Sequence, residues 1–137
     1  MTLLVDTSVW SLALRRDTDI SSAHAQIAAL RDALLGTDLV VTTGVVLQEL
    51  LQGFAGPRAR MTIIDRFKAL AMLVPDREDH IAAADLRNHC RRAGIQVGTI
   101  DALLAQLCIR HDLTILTTDN DFSHIAQRSP LRVWSAS

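Results

Sequence analysis

Leu3-Leu4-Val5-Asp6-Thr7-Ser8 is the stretch from which the fold can be read. Residues 2 to 6 form an apolar run too short for a helix and rich enough in branched side chains for a buried parallel strand. An aspartate directly after such a strand has its backbone fixed by the sheet. Its side chain then projects into the crevice at the strand ends, where open α/β proteins bind ligands. Thr7 and Ser8 offer an N-cap for a helix carrying Val9, Trp10 and Leu14. The same figure returns late in the chain: Leu113 to Thr117 reads as a strand, and Asp119 follows it in Leu116-Thr117-Thr118-Asp119-Asn120-Asp121-Phe122.

Between these two strands the pattern alternates. Ser21 to Leu35 has Ile27, Leu30 and Leu34 at helical spacing, with Ser21 or Ser22 as cap and Gly36 as stop. A strand at Asp38 to Thr42 leads to a helix at Thr43 to Phe54, striped by Leu47, Leu50, Leu51 and Phe54 and broken by Gly53, Gly56 and Pro57. A helix near 58 to 70, an apolar run ending at Pro75, a long helix from Arg77 to Arg92 closed by Gly94, and a helix from Thr99 to His111 come next. Asp121 to Gln127 reads as a short helix and Leu131 to Trp134 as a last strand. Strands separated by helices predict an α/β three-layer sandwich, its central, mainly parallel sheet covered by helices on both faces. No repeat or linker interrupts the pattern, so residues 1–137 are expected to form a single domain.

Composition narrows the function classes. A net charge of -1 argues against a surface that coats nucleic acid by counterion release alone. Lys68 is the only lysine beside 13 arginines. Cys90 and Cys108 lack metal-ligand spacing and read as buried thiols of a reducing compartment, which disfavours zinc and disulfides. The N-terminus does not read as a signal peptide and no run is long enough to span a membrane, so a cytoplasmic location is expected. His24, His80, His89, His111 and His124 form no ligand motif, and no phosphate-binding glycine loop or serine-hydrolase elbow occurs.

The chemistry therefore falls to the acids. Asp6, Glu49, Asp101 and Asp119 all lie where predicted elements begin or end, and Glu49 is one of only two glutamates. Each has an ordinary explanation alone. Asp6 and Asp101 suit the positive end of a helix, the latter after a Thr99 cap; Glu49 lies at the flank of its apolar stripe; Asp119 and Asp121 suit a turn. Together they suit phosphodiester hydrolysis, which needs a hard cation held by oxygen ligands to neutralise phosphate charge and activate water.

Four segments also carry a family resemblance over the whole chain: Val5-Asp6-Thr7-Ser8-Val9-Trp10 with Leu14-Arg15, Glu49-Leu50-Leu51-Gln52-Gly53, Ile100-Asp101-Ala102-Leu103-Leu104-Ala105, and Thr117-Thr118-Asp119-Asn120-Asp121-Phe122. In this order they resemble PIN-domain ribonucleases, and among them the VapC-type toxins of bacterial toxin–antitoxin pairs. The resemblance implies a Mg2+- or Mn2+-dependent endoribonuclease that hydrolyses RNA, tRNA or rRNA in particular, and is restrained by a small cognate antitoxin. It implies Asp6, Glu49, Asp101 and Asp119 as catalytic metal-binding acids, with Asp121 as an additional ligand. Thr7 or Ser8 is expected either to hydrogen-bond a carboxylate or phosphate, or to cap the helix. A homodimer is also implied, with Met61, Ile64, Phe67 and Leu70 as candidate surface. Aromatics are few, so Arg15, Arg16, Arg58 and Arg60 are the candidates for RNA contact, while Trp10 and Phe122 are expected in the core. Three alternatives stand beside this reading: a housekeeping PIN nuclease of RNA maturation, an aspartate-based phosphotransferase or signalling domain, which would need a lysine near Asp6, and a catalytically silent binding module that kept the fold, against which the intact set of acids argues.

Overall fold

The computed structural model describes residues 1–15 and 24–136. In chain order these form β1 (Thr2–Val5), α1 (Thr7–Leu14), α2 (His24–Leu35), β2 (Leu39–Thr43), α3 (Gly44–Gly53), α4 (Pro57–Phe67), β3 (Ala71–Leu73), α5 (Arg77–Arg92), α6 (Thr99–His111), β4 (Thr114–Leu116), α7 (Asp121–Ala126) and β5 (Arg132–Val133). Every strand pairing is parallel, so the expected mainly parallel sheet is parallel throughout, in the order β3-β2-β1-β4-β5.

That order positions the site. The chain builds outward from β1 to β2 and β3, then returns to lay β4 on the other side of β1. β1 is thus the topological switch point, and the crevice opens beyond the carboxyl ends of β1 and β4. Register brings those ends together: Val5 pairs with Leu116, and the Asp6 N–H donates to the Leu116 carbonyl at 2.9 Å.

The two strands can be central because they are apolar on both faces. Leu3, Leu4 and Val5, then Ile115 and Leu116, are buried, as is Leu104 of α6 against them. Truncating a side chain such as Leu104 to alanine would cost about 2–5 kcal/mol in a core of this kind. α6 is buried over most of its girth, through Ala102, Leu103, Leu104, Ala105, Leu107 and Cys108, because it lies between the sheet and α5. Trp10 packs on Phe67 with ring centroids 5.0 Å apart, and Phe122 is fully buried, so both aromatics belong to the core. Phe67 is thereby withdrawn from the apolar surface expected for a dimer contact, whereas Met61 on the same helix is exposed.

Some boundaries differ from the sequence reading. β2 begins at Leu39, where its pairing with Thr2 starts; β4 and β5 are shorter than predicted; and α4 stops at Phe67. Ser21 and Ser22, the expected cap of α2, lie outside the described residues. The two glycine stops stand: a Cβ on Gly36 would meet the Asp32 carbonyl oxygen at 2.8 Å, and Gly94 has φ +82, a conformation that favours glycine.

Candidate active site

Asp6 occupies the N-cap of α1, the position anticipated for Thr7 or Ser8, and its side chain makes no capping bond. The reason is visible in its partners. Asp6 is buried, and its Oδ2 accepts hydrogen bonds from Ser8 Oγ at 2.8 Å and Thr117 Oγ1 at 2.9 Å. Thr7 Oγ1 reaches across to Glu49 Oε1 at 2.8 Å. Both hydroxyls after the strand therefore hold carboxylates instead of capping the helix. That contact also explains how Glu49, on the flank of α3, is only half exposed: it faces α1, and Thr7 fixes its carboxylate.

Asp101 lies in the first turn of α6. The N-cap there is Gly98 and not Thr99, which is the first helical residue, so no side chain satisfies the first amides. Asp119 follows β4 on a short loop, and its Oδ1 accepts the Asp121 N–H at 2.9 Å, which orders the entry to α7. Thr117 is the residue that the sequence reading missed. Its Oγ1 accepts the Asp119 N–H at 2.9 Å while donating to Asp6. A hydroxyl at the carboxyl end of a central strand, beside an acid-bearing loop, was the signal available.

One carboxylate oxygen from each of Asp101, Asp119 and Asp121 can lie within 4.8 Å of the others. Asp6 and Glu49 stand outside this tight trio but share its field. Burial pushes the Asp101 carboxyl up, and the negative charges of Asp6, Asp119, Asp121 and Glu49 push it further, to about 6. No lysine or arginine among the described residues forms an ion pair with any of these five acids; the nearest basic group is His124, 4.0 Å from Asp121. All the donors are hard oxygens and they carry excess negative charge, which fits a Mg2+ or Mn2+ ion and does not fit a soft metal.

Other candidates recede. Cys90 and Cys108 are buried and free; burial raises both thiols, that of Cys108 to about 12, which leaves neither as a ligand or nucleophile at neutral pH. Lys68 is exposed and paired with Asp65 at 3.5 Å, so it serves no phosphoryl group at Asp6. Of the arginines expected to meet RNA, Arg58 lines a groove of about 400 Å³ with Leu14, Phe54 and Ile63, and Arg16 lies outside the described residues. No described helix is long and apolar enough to cross a membrane.

An all-parallel sheet with acids gathered at its switch point defines a class, and comparison gives the family. Residues 3–128 match the family model described as PIN domain, and the chain belongs to that family. Relatives that match along its length include VapC ribonucleases. Ribonuclease VapC11 of Mycobacterium tuberculosis and VapC ribonuclease Mb1587 of Mycobacterium bovis are each 30% identical over 135 residues, covering 97% of this chain and 98% of theirs. Among solved structures, VapBC-1 from nontypeable Haemophilus influenzae superposes with a TM-score of 0.74 at 18% identity, covering 98% of both chains. VapC20 of Mycobacterium tuberculosis, described as a sarcin-ricin loop cleaving toxin, gives 0.70 at 20% identity over 95% of this chain and 98% of its own. At those identities the superpositions speak for the fold.

Proposed function

We propose that this chain is a Mg2+- or Mn2+-dependent endoribonuclease, the toxin of a VapBC-type toxin–antitoxin pair, and that Asp6, Glu49, Asp101 and Asp119 with Asp121 form its cation site. The observation that carries the reading is the convergence of acids at the switch point, with carboxylate oxygens of Asp101, Asp119 and Asp121 within 4.8 Å of one another and no lysine or arginine among the described residues paired with them. Ribonuclease activity in relatives 30% identical over nearly the whole chain supports RNA as substrate. The fold shared with chains solved as VapBC, which one of those structures describes as a family of toxin-antitoxin systems, supports a small antitoxin partner.

The chemistry that a bound Mg2+ or Mn2+ supplies is neutralisation of phosphate charge and activation of water for in-line attack. The residues supply position. Ser8 and Thr117 fix Asp6 through Oδ2 and leave Oδ1 uncommitted by those two bonds. Thr7 fixes Glu49, and the Asp121 N–H fixes Asp119. Asp101 must shed its proton before it can act as a ligand, and above pH 6 it is ready to do so. Carboxylates held in advance need no reorganisation when the phosphate arrives.

Purified protein incubated with total cellular RNA tests this. Discrete fragments that require Mg2+ or Mn2+, vanish with chelator and are absent with Asp6→Asn or Asp101→Asn are expected; folded wild type that cuts no RNA with either cation would defeat the reading.

A further inference from the structure

We propose that Thr117 is a positioning residue that presets the cation site, its single hydroxyl fixing Asp6 and Asp119 relative to each other before any cation arrives. This rests on the reading that these acids hold a divalent cation. Thr117 is buried, directly after β4, and it touches both acids that follow the two central strands.

Hydrogen-bond direction makes the argument. A threonine hydroxyl has one proton to give and two lone pairs with which to accept. The Asp119 backbone N–H can only donate, and it reaches Thr117 Oγ1 at 2.9 Å. The Thr117 proton is therefore free to point at Asp6 Oδ2, 2.9 Å away. Ser8 repeats the device: its Oγ accepts the Thr118 N–H at 3.1 Å and gives its proton to the same Oδ2 at 2.8 Å. Two successive amides of one loop thus set the direction of two hydroxyls that converge on one carboxylate oxygen. Ser8 Oγ and Thr117 Oγ1 are 3.3 Å apart, but with both protons given to Asp6 Oδ2 they meet through that carboxylate oxygen and not through a bond of their own.

The consequence is a chain of bonds from Asp6 through Thr117 to Asp119, and on from Asp119 Oδ1 to the Asp121 N–H at 2.9 Å. It crosses from one strand end to the next, so a shift of either loop would move both ligands. Carboxylate ligands that are themselves hydrogen-bonded bind metal more tightly, and losing such a partner typically costs roughly 10–100-fold in affinity. A threonine that served only packing would lower stability when replaced and leave cation affinity alone.

Isothermal titration of Mn2+ into the full chain separates these roles, each variant being first checked for folding by circular dichroism. Thr117→Val keeps the volume and deletes the hydroxyl, and is expected to raise the Mn2+ dissociation constant by roughly 10–100-fold. Thr117→Ser restores the hydroxyl and is expected to bind like wild type. Should Thr117→Val not fold, Thr117→Ala carries the test, because it deletes the same hydroxyl in a smaller side chain and is expected to weaken binding in the same direction. A folded Thr117→Val or, in its place, a folded Thr117→Ala with wild-type affinity overturns the proposal. Wild type that binds no Mn2+ at all overturns instead the metal-site reading beneath it, and the two failures are distinguishable.

Discussion

Two acid clusters in this molecule resolve the same electrostatic problem in opposite ways. On the α5–α6 side, Asp76 and Asp79 form a capping box, and Arg110 of α6 meets Asp79 at 2.6 Å and Asp76 at 3.3 Å. Burial would raise the Asp79 carboxyl, but the Asp76 N–H and the Arg110 guanidinium outweigh it and hold the group below its ordinary value. In the crevice the acids outnumber any countercharge, and Asp101 moves the other way, to about 6. The first cluster carries its own countercharge in Arg110 and ties two helices together. The second has no lysine or arginine paired with it among the described residues, and protons or a bound cation would relieve its repulsion.

The contrast can be broken by mutation, and the largest effect belongs to the crevice. Asp101→Asn should lower RNA cleavage by roughly a hundredfold or more, the scale of losing a group that organises transition-state charge. It should also raise the melting temperature of the cation-free protein, since a repelled carboxylate has been removed; a fall in both would mean that Asp101 is structural. Thr7→Val releases Glu49 Oε1 from its 2.8 Å bond, and steady-state cleavage should drop roughly tenfold with the fold intact. On the other side, Asp76→Ala removes the N-cap bond of α5 and should cost about 1 kcal/mol in chemical denaturation while leaving the cleavage rate per folded molecule unchanged.

The smallest effect is in pH, and there the clusters should differ in sign. Asp101 has its folded pKa raised from 3.8 to about 6, so the folded state binds the proton more tightly than the unfolded chain does. Without cation, its contribution to stability should therefore grow as pH falls from 6 towards 4 and be lost on the way back up. Asp79 has its pKa lowered, so its contribution is present above 3.8 and is lost on further acidification. Melting curves of wild type and Asp101→Asn without cation, between pH 4 and 7, should differ in slope; parallel curves would say that the crevice is not repulsive.

How much of this was legible in the sequence follows from the kind of interaction involved. The core strands and long helices were legible because their apolar periodicity is local: Leu3 to Val5, and Ile27 and Leu30 of α2, are buried as their patterns require, although Leu34 of the same stripe is exposed. The acids were legible from their places at strand ends and in a first helical turn, strengthened by the resemblance. What escaped were contacts between residues distant in sequence that no periodicity encodes. A carboxylate was one of the two partners expected for Thr7, but that it is Glu49, 42 positions away, was not legible, and the bond from Thr117 to Asp6 across 111 positions had no sequence signal assigned to it. Thr99 was misjudged as a cap for a related reason: Gly98 already has the extended backbone that the N-cap position needs. Strand ends were misplaced by one or two residues because ladder pairing, not composition, decides where a short strand stops.

The account stands or falls on whether the crevice takes a cation. The most direct measurement is a crystal soaked in Mn2+ and read by anomalous diffraction. The account predicts a peak among the carboxylates of Asp101, Asp119 and Asp121 with Asp6 at its edge, and none at Asp76 and Asp79, where Arg110 already supplies the positive charge. A well-ordered crevice with no peak at millimolar Mn2+, or a peak at the α5–α6 cluster instead, would contradict it.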